Sequence, residues 1–258
     1  MLLAIDIGNT QIVIGCIRDD EILFDARIAT DHARTADQYG VEIKQILEAY
    51  DVRREDVTGC ILSSVVPPVF VAVRNGVRKF IGMEPMVVGP GLKTGLDIRM
   101  DVPSQVGSDR IVIAVAALAK YSAPLILIDM GTAITIEAVE ENRVYAGGVI
   151  MPGARTALDA LTSHTAQLPG ISLETPGRVV GKNTVDCMRS GIMYGTASMI
   201  DGMIDRMQEE LGHPSKLVAT GGLSPLIIPL CRHDILINEN LLLEGLNVIY
   251  KRNRKESC

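Results

Sequence analysis

The sequence contains no tryptophan, and aromatic residues make up only 3% of its 258 positions. Hydrophobic residues nevertheless account for 47%, so the core must be built from aliphatic side chains and methionine. Cores of this kind suit layered α/β architectures. A chain of this length forms one large domain or two of ordinary size, and it can bury a sizeable core.

Positive charge is also in short supply. The chain has 25 Lys and Arg residues against 31 Asp and Glu residues, which gives a net charge of -6. No basic stretch is interleaved with aromatic residues, so we expect no nucleic acid partner. The basic run Lys251 to Lys255 is interpreted as a solvated end of the chain.

Cysteine is sparse, and no Cys-x-x-Cys pair occurs. The odd number and scattered positions argue against a disulfide framework and against a zinc site. The longest wholly apolar run, Ile111 to Ala119, is far too short to span a bilayer, and no positively charged leader precedes the first strand. These absences predict a reducing compartment and a cytoplasmic protein without a membrane partner. The cysteines are Cys16, Cys60, Cys187, Cys231 and Cys258.

Two familiar nucleotide-binding motifs are missing as well. The segment Gly177 to Asn183 resembles a Walker A loop, but three residues separate its glycines where four are needed, and Asn183 replaces the metal-binding hydroxyl residue. No Gly-x-Gly-x-x-Gly follows a predicted strand, which leaves a dinucleotide-binding fold with little support. The four histidines are dispersed, without the spacing of metal ligands.

A strand-turn-strand pattern that carries an aspartate occurs twice. Apolar runs at 2–5 and 125–128 predict buried strands, which lead through Asp6 and Asp129 into glycine turns. Alternating stretches at 11–17 and 133–139 predict the hairpin partners. A single turn aspartate often caps the backbone only. Its repetition favours a two-lobed nucleotide phosphotransferase, in which carboxylates hold hydrated divalent cations and small turn residues approach phosphate oxygens.

Elsewhere, predicted strands alternate with helices, as in α/β folds. We predict strands at 59–64 and 216–220, and helices at 36–50, at 239–250, from Pro103 to Tyr121, and from Asn183 or Thr184 to Leu211. A glycine turn is predicted at 147–153. Five methionines on the long helix are interpreted as packing in a core or subunit interface; they are Met188, Met193, Met199, Met203 and Met207. The lobes are assigned to residues 1–118 and 119–258.

The local sequence does not decide the role of Asp109. This aspartate stands beside Arg110 and directly before the apolar run 111–119. A helix-start carboxylate, favoured by the helix dipole, explains that position as well as a catalytic role does.

Together these residues resemble the type III pantothenate kinases, which belong to the superfamily of actin, sugar kinases and heat-shock chaperone ATPases. The resemblance covers nearly the whole chain. The motifs that carry it are Asp6-x-Gly8-Asn9-Thr10, Gly91-x-x-Thr94-Gly95, Gly107-Ser108-Asp109-Arg110, Asp129-x-Gly131-Thr132, Gly147-Gly148 to Pro152-Gly153, and Thr220-Gly221-Gly222.

The resemblance implies an α/β protein of two similar ribonuclease-H-like lobes, a duplicated actin-like ATPase fold, with the nucleotide cleft between them. It implies ATP-dependent phosphorylation of the primary hydroxyl of pantothenate to 4′-phosphopantothenate, the first step of coenzyme A biosynthesis. The family is homodimeric. The implied cations are Mg²⁺ and a monovalent ion, K⁺ or NH₄⁺.

The resemblance also implies a role for individual residues. Asp109 is the catalytic base, Asp6 holds Mg²⁺ through water, Asp129 carries the monovalent cation, and Thr132 contacts ATP. Thr184 contacts the substrate across the dimer interface. The segment that holds the ATP phosphates comprises Asp6, Ile7, Gly8, Asn9, Thr10, Gln11, Ile12 and Val13. The pantothenate contacts are Met100, Gly107, Ser108, Asp109, Arg110 and Thr184.

Two positions depart from the family pattern. Met100 stands where the family usually has a tyrosine against the substrate, and Ser108 stands where alanine is usual. The first change weakens one substrate contact but leaves the reaction class unaltered. Two alternatives remain: an ATPase or exopolyphosphatase with water as the nucleophile, which the segment 107–110 disfavours, and a non-catalytic binding protein that kept the fold.

Overall fold

The computed structural model describes residues 1–254, so Lys255 of the basic run and Cys258 lie outside the described residues. Within that range, no helix is both long enough and apolar enough to cross a membrane. The chain forms two compact units. The first unit contains Met1–Leu96, Asp101–Lys120 and the segment from Asn240 onward, and the second contains Asp97–Met100 and Tyr121–Glu239.

Strands and helices alternate along the described chain. The strands are β1 (Leu2–Ile7), β2 (Gln11–Arg18), β3 (Glu21–Ala29), β4 (Gly59–Ser64), β5 (Met86–Val87), β6 (Asp97–Ile98), β7 (Leu125–Met130), β8 (Ala133–Glu140), β9 (Val144–Pro152), β10 (Lys216–Thr220) and β11 (Leu236–Ile237). The helices are α1 (Ala36–Ala49), α2 (Pro67–Gly76), α3 (Ser108–Lys120), α4 (Ala154–Ser163), α5 (Thr184–Leu211), α6 (Ser224–Ile227) and α7 (Leu241–Asn253). A π turn, Val77–Ile81, extends α2.

The sheet of the first unit has the strand order β3-β2-β1-β4-β5. β1, β2 and β3 pair antiparallel, whereas β4 runs parallel to β1, and β5 runs parallel to β4. Every residue of β1 is buried, because helices cover both faces of the sheet. Leu3, Ile5 and Ile7 pack with residues of α1 and α2, while Leu2 and Ala4 pack with residues of α3 and α7.

The C-terminal helix α7 belongs to the first unit and packs against α3. The two helices approach closely at Gly245, where a side chain would collide with the carbonyl oxygen of Val112. Leu246 on α7 is fully buried in the same cluster as Val112. The chain passes from the first unit to the second after Lys120 and returns to the first unit at Asn240, whereas the sequence-based assignment put all of 119–258 in the second lobe.

The sheet of the second unit repeats the arrangement of the first. Its order is β11-β10-β7-β8-β9-β6, so β9-β8-β7-β10-β11 corresponds strand by strand to β3-β2-β1-β4-β5. The directions also correspond, because β7, β8 and β9 are antiparallel, while β10 and β11 continue parallel to β7. The predicted hairpin in each lobe is therefore confirmed, and the duplication extends to five strands. β6 adds a further strand, parallel to β9.

The methionines of α5 pack in the core of the second unit. Met188 and Met193 are buried there. Met199, Met203 and Met207 are half-buried against the same cluster. The prediction of core packing is confirmed, and the unbranched methionine side chain suits the irregular gaps beside a long helix.

The helix predicted from Pro103 begins at Ser108 instead, so that prediction is wrong at its start. Pro103–Gln105 forms a separate 3₁₀ turn. The helix starts when the Ile111 backbone N–H donates to the Gly107 carbonyl, with N and O 3.2 Å apart. Proline favours the first turn of either structure, so its position alone does not locate the start of the longer helix.

The glycine turn predicted at 147–153 is also wrong, because β9 occupies Val144–Pro152. Gly148 lies where a side chain would collide with the backbone of β8. Gly147 has φ +132°, in the left-handed region, and lies beside a register shift between β8 and β9. Glycine here permits close pairing and a β-bulge, and the local sequence does not distinguish these from a turn.

Candidate active site

Asp6 lies near the carboxyl end of β1, as the fifth of its six residues. It is buried, with only 7% of its surface exposed. Parallel pairing of β1 with β4 places Ser63 beside it, and the Ser63 hydroxyl donates a hydrogen bond to the Asp6 carboxylate. Ser63 is itself fully buried, and this charged acceptor satisfies its hydroxyl.

The turn after β1 presents polar groups to solvent. The Gly8 backbone N–H donates to the Gln11 carbonyl at 3.0 Å, which closes the turn over Asn9 and Thr10. The Thr30 hydroxyl donates to the Gly8 carbonyl at 2.6 Å and holds the turn against the chain that follows β3. Asn9, Thr10 and Gln11 are exposed, so donors on this turn are accessible to a phosphate group.

Three members of the predicted phosphate-binding segment have apolar side chains that pack in the core. Ile7 and Ile12 are fully buried in the core, and Val13 is half-buried. Their side chains therefore anchor the hairpin, and only the exposed residues between them offer side-chain donors.

Asp129 occupies the matching position in the second unit, as the fifth of the six residues of β7. The parallel strand β10 places Thr220 beside it in register. In both units a hydroxyl residue thus lies beside the turn aspartate on the neighbouring strand. The second turn is shorter by one residue. Three residues separate the paired Met130 and Ile134, whereas four separate the paired Ile7 and Ile12 at the first turn.

Thr132 lies in this second turn and is exposed. Its carbonyl accepts hydrogen bonds from the Gly153 backbone N–H at 3.1 Å and from the Thr156 hydroxyl at 2.7 Å. These bonds hold the start of α4 against the turn. A side chain at Gly153 would collide with the carbonyl oxygens of Gly131 and Thr132, which explains the glycine at this position.

The segment Gly107–Arg110 forms the start of α3, and each of its residues is half-buried. The Ser108 hydroxyl accepts a hydrogen bond from the Ser64 backbone N–H at 3.2 Å and donates one to the Ser64 carbonyl at 3.0 Å. The carboxyl end of β4 therefore makes two contacts. Ser64 contacts the start of α3, and Ser63 contacts Asp6. The structure brings both predicted functional elements of the first unit to one strand end.

Asp109 lies in the first turn of α3. Its Oδ1 accepts a hydrogen bond from the Arg110 backbone N–H at 2.8 Å. A side chain at Gly107 would collide with that same carboxylate oxygen. Glycine at this position thus leaves room for the carboxylate.

Two other predicted substrate residues belong to the second unit. Met100 follows β6 and is half-buried. Its sulfur lies close to Gly147, since a Cβ atom added to that glycine would be 3.4 Å from the sulfur. Thr184 is the exposed first residue of α5, directly after the N-cap Asn183. Neither residue is in the unit that carries Asp109.

Sequence reasoning missed Ser63, Ser64 and Thr30 as residues that hold the site. The available signal was a pair of serines at the end of an otherwise apolar strand. Which groups those serines contact depends on strand pairing, which the local sequence does not reveal.

Three of the described cysteines have thiols that burial keeps protonated. Burial raises the pKa of the Cys16 and Cys60 thiols, and it raises the pKa of Cys231 to about 12. Neutral thiols are poor nucleophiles and poor metal ligands. Among residues 1–254, no group of three or more His, Cys, Asp and Glu side chains is placed to hold a metal ion.

Solved structures share the fold of this chain. The chain aligns over 100% of its length with 100% of a protein described as a 2-dehydro-3-deoxygalactonokinase from Sinorhizobium meliloti, at a TM-score of 0.60 and 11% identity. Component A of (R)-2-hydroxyglutaryl-CoA dehydratase from Acidaminococcus fermentans gives a TM-score of 0.58 at 15% identity, over 98% of this chain and 99% of that one. At such identities the likeness shows the fold alone. The protein has the two-lobed α/β fold of the actin-like ATPases and sugar kinases.

Sequence similarity identifies the family within that class. The family model for type III pantothenate kinase matches residues 2–206. A type III pantothenate kinase from Exiguobacterium sp. strain AT1b is 46% identical over 255 residues, which cover 99% of this chain and 100% of that protein. The chain belongs to the type III pantothenate kinase family. The family predicted from the sequence motifs is therefore confirmed.

Proposed function

We propose that this kinase uses Asp109 as its general base and Asp6 as the carboxylate that carries Mg²⁺. The reaction is the ATP-dependent phosphorylation of pantothenate to 4′-phosphopantothenate, the first step of coenzyme A biosynthesis. The observation that supports these roles is the attachment of Asp6 and of the segment Gly107–Arg110 to the same end of β4. Phosphoryl transfer requires positioning, charge neutralisation and a proton acceptor rather than covalent catalysis.

A magnesium ion is compatible with the Asp6 turn. In kinases, Mg²⁺ keeps several waters and is bound through one or two carboxylates together with the substrate phosphates. Asp6 supplies one such carboxylate, oriented by the Ser63 hydroxyl. When bound, the ion neutralises charge on the phosphate oxygens. We assign the monovalent cation, K⁺ or NH₄⁺, to Asp129, as the family resemblance implies. The place of Asp129 in the second unit, equivalent to that of Asp6 in the first, is compatible with a cation there.

The exposed turn residues hold the ATP phosphates in this proposal. Asn9, Thr10 and Gln11 supply backbone and side-chain donors, and the hydrogen bond between Gly8 and Gln11 keeps the turn in a fixed shape. Thr132, exposed in the second turn, supplies a further contact to ATP.

Asp109 accepts the proton of the pantothenate hydroxyl as its oxygen bonds to the terminal phosphorus of ATP and the bond from that phosphorus to ADP breaks. Arg110 pairs with the carboxylate of pantothenate or with the transferred phosphate, since a guanidinium forms strong charge-assisted bonds with either. Gly107, Ser108 and Met100 line the pantothenate site. A thioether at residue 100 gives an apolar contact without the hydrogen bond that a phenol would offer.

Thr184 contributes the remaining substrate contact from the partner subunit of a homodimer. Its exposed position at the start of α5 is compatible with such a contact. Size-exclusion chromatography with light scattering tests the dimer, and a monomer would remove Thr184 from the site. We place the enzyme in the cytoplasm and expect no membrane partner. A nucleic acid partner is disfavoured by its net charge of -6.

The assay for the function measures ADP release with and without pantothenate, and with and without potassium. Release that depends on pantothenate and is stimulated by potassium supports the proposal. Release without pantothenate would indicate an ATPase with water as the nucleophile. Absence of release under all conditions would indicate a protein that has kept the fold and lost turnover.

A further inference from the structure

The strand β4 ends in two serines, and both are bonded to elements that the proposed mechanism uses. The buried Ser63 hydroxyl donates to the Asp6 carboxylate. The backbone N–H and carbonyl of Ser64 are both bonded to the Ser108 hydroxyl, at 3.2 and 3.0 Å. The end of β4 thus contacts Asp6 through the side chain of Ser63, and it contacts the start of α3 through the backbone of Ser64.

We propose that Ser63 and Ser108 are positioning residues of this kinase. Ser63 fixes the orientation of the Asp6 carboxylate, and the Ser108 hydroxyl fixes the position of Asp109 relative to the end of β4. The inference rests on the roles proposed for Asp6 and Asp109, and it deepens them by naming the groups through which these aspartates are held.

The surroundings of Ser63 support an orienting role. The preceding residues of β4, Gly59–Leu62, are all buried and are mostly apolar. A hydroxyl without a partner would be unfavourable in such a place, so the bond to Asp6 accounts for a serine there. An ionised carboxylate offers about four acceptor sites, and the bond from Ser63 occupies one of them, so this bond fixes the direction of the carboxylate without filling its acceptor capacity.

The second unit provides an independent parallel. Thr220 lies beside Asp129 at the same place in the register, and only 3% of its surface is exposed. A buried hydroxyl residue on the adjacent parallel strand therefore accompanies the turn aspartate in both halves of the duplicated fold. This recurrence favours a role tied to the aspartates over a chance choice of residue at one strand end.

The position of Ser108 supports the second part of the inference. Ser108 is the first residue of α3 and is adjacent to Asp109. Its hydroxyl bonds both backbone groups of Ser64, so it connects the helix start to the sheet at a defined distance. Alanine, which is usual at this position in the family, cannot make this connection, so the contribution of Ser108 is particular to this chain. Here, loss of the hydroxyl would release the first turn of α3 from the end of β4, and the base would be held less well in its reactive position.

The test combines calorimetry with kinetics on the full chain. We expect Ser63→Ala to weaken the Mg²⁺-dependent binding of a non-hydrolysable ATP analogue about tenfold, the order expected for a hydrogen bond to a charged group, and to leave Mg²⁺-free binding unchanged. Ser63→Thr keeps the hydroxyl and should restore the affinity. Ser108→Ala should lower kcat about tenfold, with the analogue affinity unchanged, and Ser108→Thr should restore kcat.

Thr58→Val is the matched control, because Thr58 directly precedes β4 and its hydroxyl donates to the Met1 carbonyl at 3.3 Å, at the other end of the strand. This variant should retain wild-type affinity and kcat. Thermal unfolding of each variant identifies any general loss of stability. If Ser63→Ala does not fold, Ser63→Cys replaces it in the same measurements.

The outcomes separate this inference from the function on which it rests. Wild-type values for Ser63→Ala and Ser108→Ala, or failure of the threonine variants to restore function, would overturn the positioning role. If Asp6→Asn weakens Mg²⁺-dependent binding while Ser63→Ala does not, the inference fails and the Asp6 assignment stands. If the wild type releases no ADP in response to pantothenate, the proposed function fails whatever the binding results.

Discussion

Replacing Asp109 by asparagine distinguishes a catalytic base from a helix-start carboxylate. The two side chains have the same shape, and asparagine retains an oxygen for the Arg110 backbone N–H, which bonds to Asp109 Oδ1 at 2.8 Å. The start of α3 should therefore keep its structure. The loss of one negative charge from the first turn of a helix costs about 0.3–1 kcal/mol of stability.

The loss of activity should be far larger than this loss of stability. A positioned general base accelerates a reaction roughly 10²–10⁴-fold. At about 1.36 kcal/mol per factor of ten, this corresponds to about 2.7–5.4 kcal/mol of activation free energy. In a coupled ADP-release assay at saturating pantothenate, kcat of Asp109→Asn should fall by that factor, while the calorimetric affinity for ATP should change little.

Asp37→Asn provides the matched control, because Asp37 is an exposed aspartate in the first turn of α1. It loses the same interaction with a helix dipole and a surface ion pair with Lys79 at 2.8 Å, worth at most about 1 kcal/mol. Its kcat should equal that of the wild type. A kcat for Asp109→Asn within about threefold of the wild-type value would refute the base assignment and favour the helix-start interpretation.

Other substitutions test the cation site, a surface ion pair and the packing of the C-terminal helix. Asp6→Asn should weaken Mg²⁺-dependent ATP binding at least about tenfold, and an unchanged calorimetric affinity would contradict its role. His213 Nε2 lies 2.9 Å from Glu140 Oε2, and the hydrogen bond with Glu140 raises the pKa of His213 above 6.5. The stability that this pair contributes is therefore complete below about pH 6.5, and it is lost as the pH rises through the raised pKa of His213. The difference in melting temperature between the wild type and His213→Gln should accordingly disappear at alkaline pH. A difference that does not change with pH would disprove the coupling. Leu246→Ala should destabilise the protein by about 2–5 kcal/mol in urea unfolding because Leu246 is fully buried, and a change below about 1 kcal/mol would be inconsistent with the packing of α7 on the first unit.

Local sequence patterns accounted for much of the fold. The strand at 59–64 is predicted to the residue, and α1 lies one residue short of its predicted end. Both elements are marked by the spacing of their apolar residues and by residues at their ends, such as the capping box of Thr35 and Gln38 at the start of α1. Short edge strands such as β6 and β11, with two residues each, have too little periodicity to predict.

By itself, the sequence determined the aliphatic core, the two aspartate hairpins and, through its motifs, the family. Tertiary structure alone decided that Ser63 lies beside Asp6, 57 residues away along the chain, and that α7 returns to pack on the first unit. It also placed Gly147 and Gly148 in a strand rather than a turn. The physical reason is that local periodicity reports which face of an element is apolar, whereas register and partner depend on the free energy of the whole packed sheet.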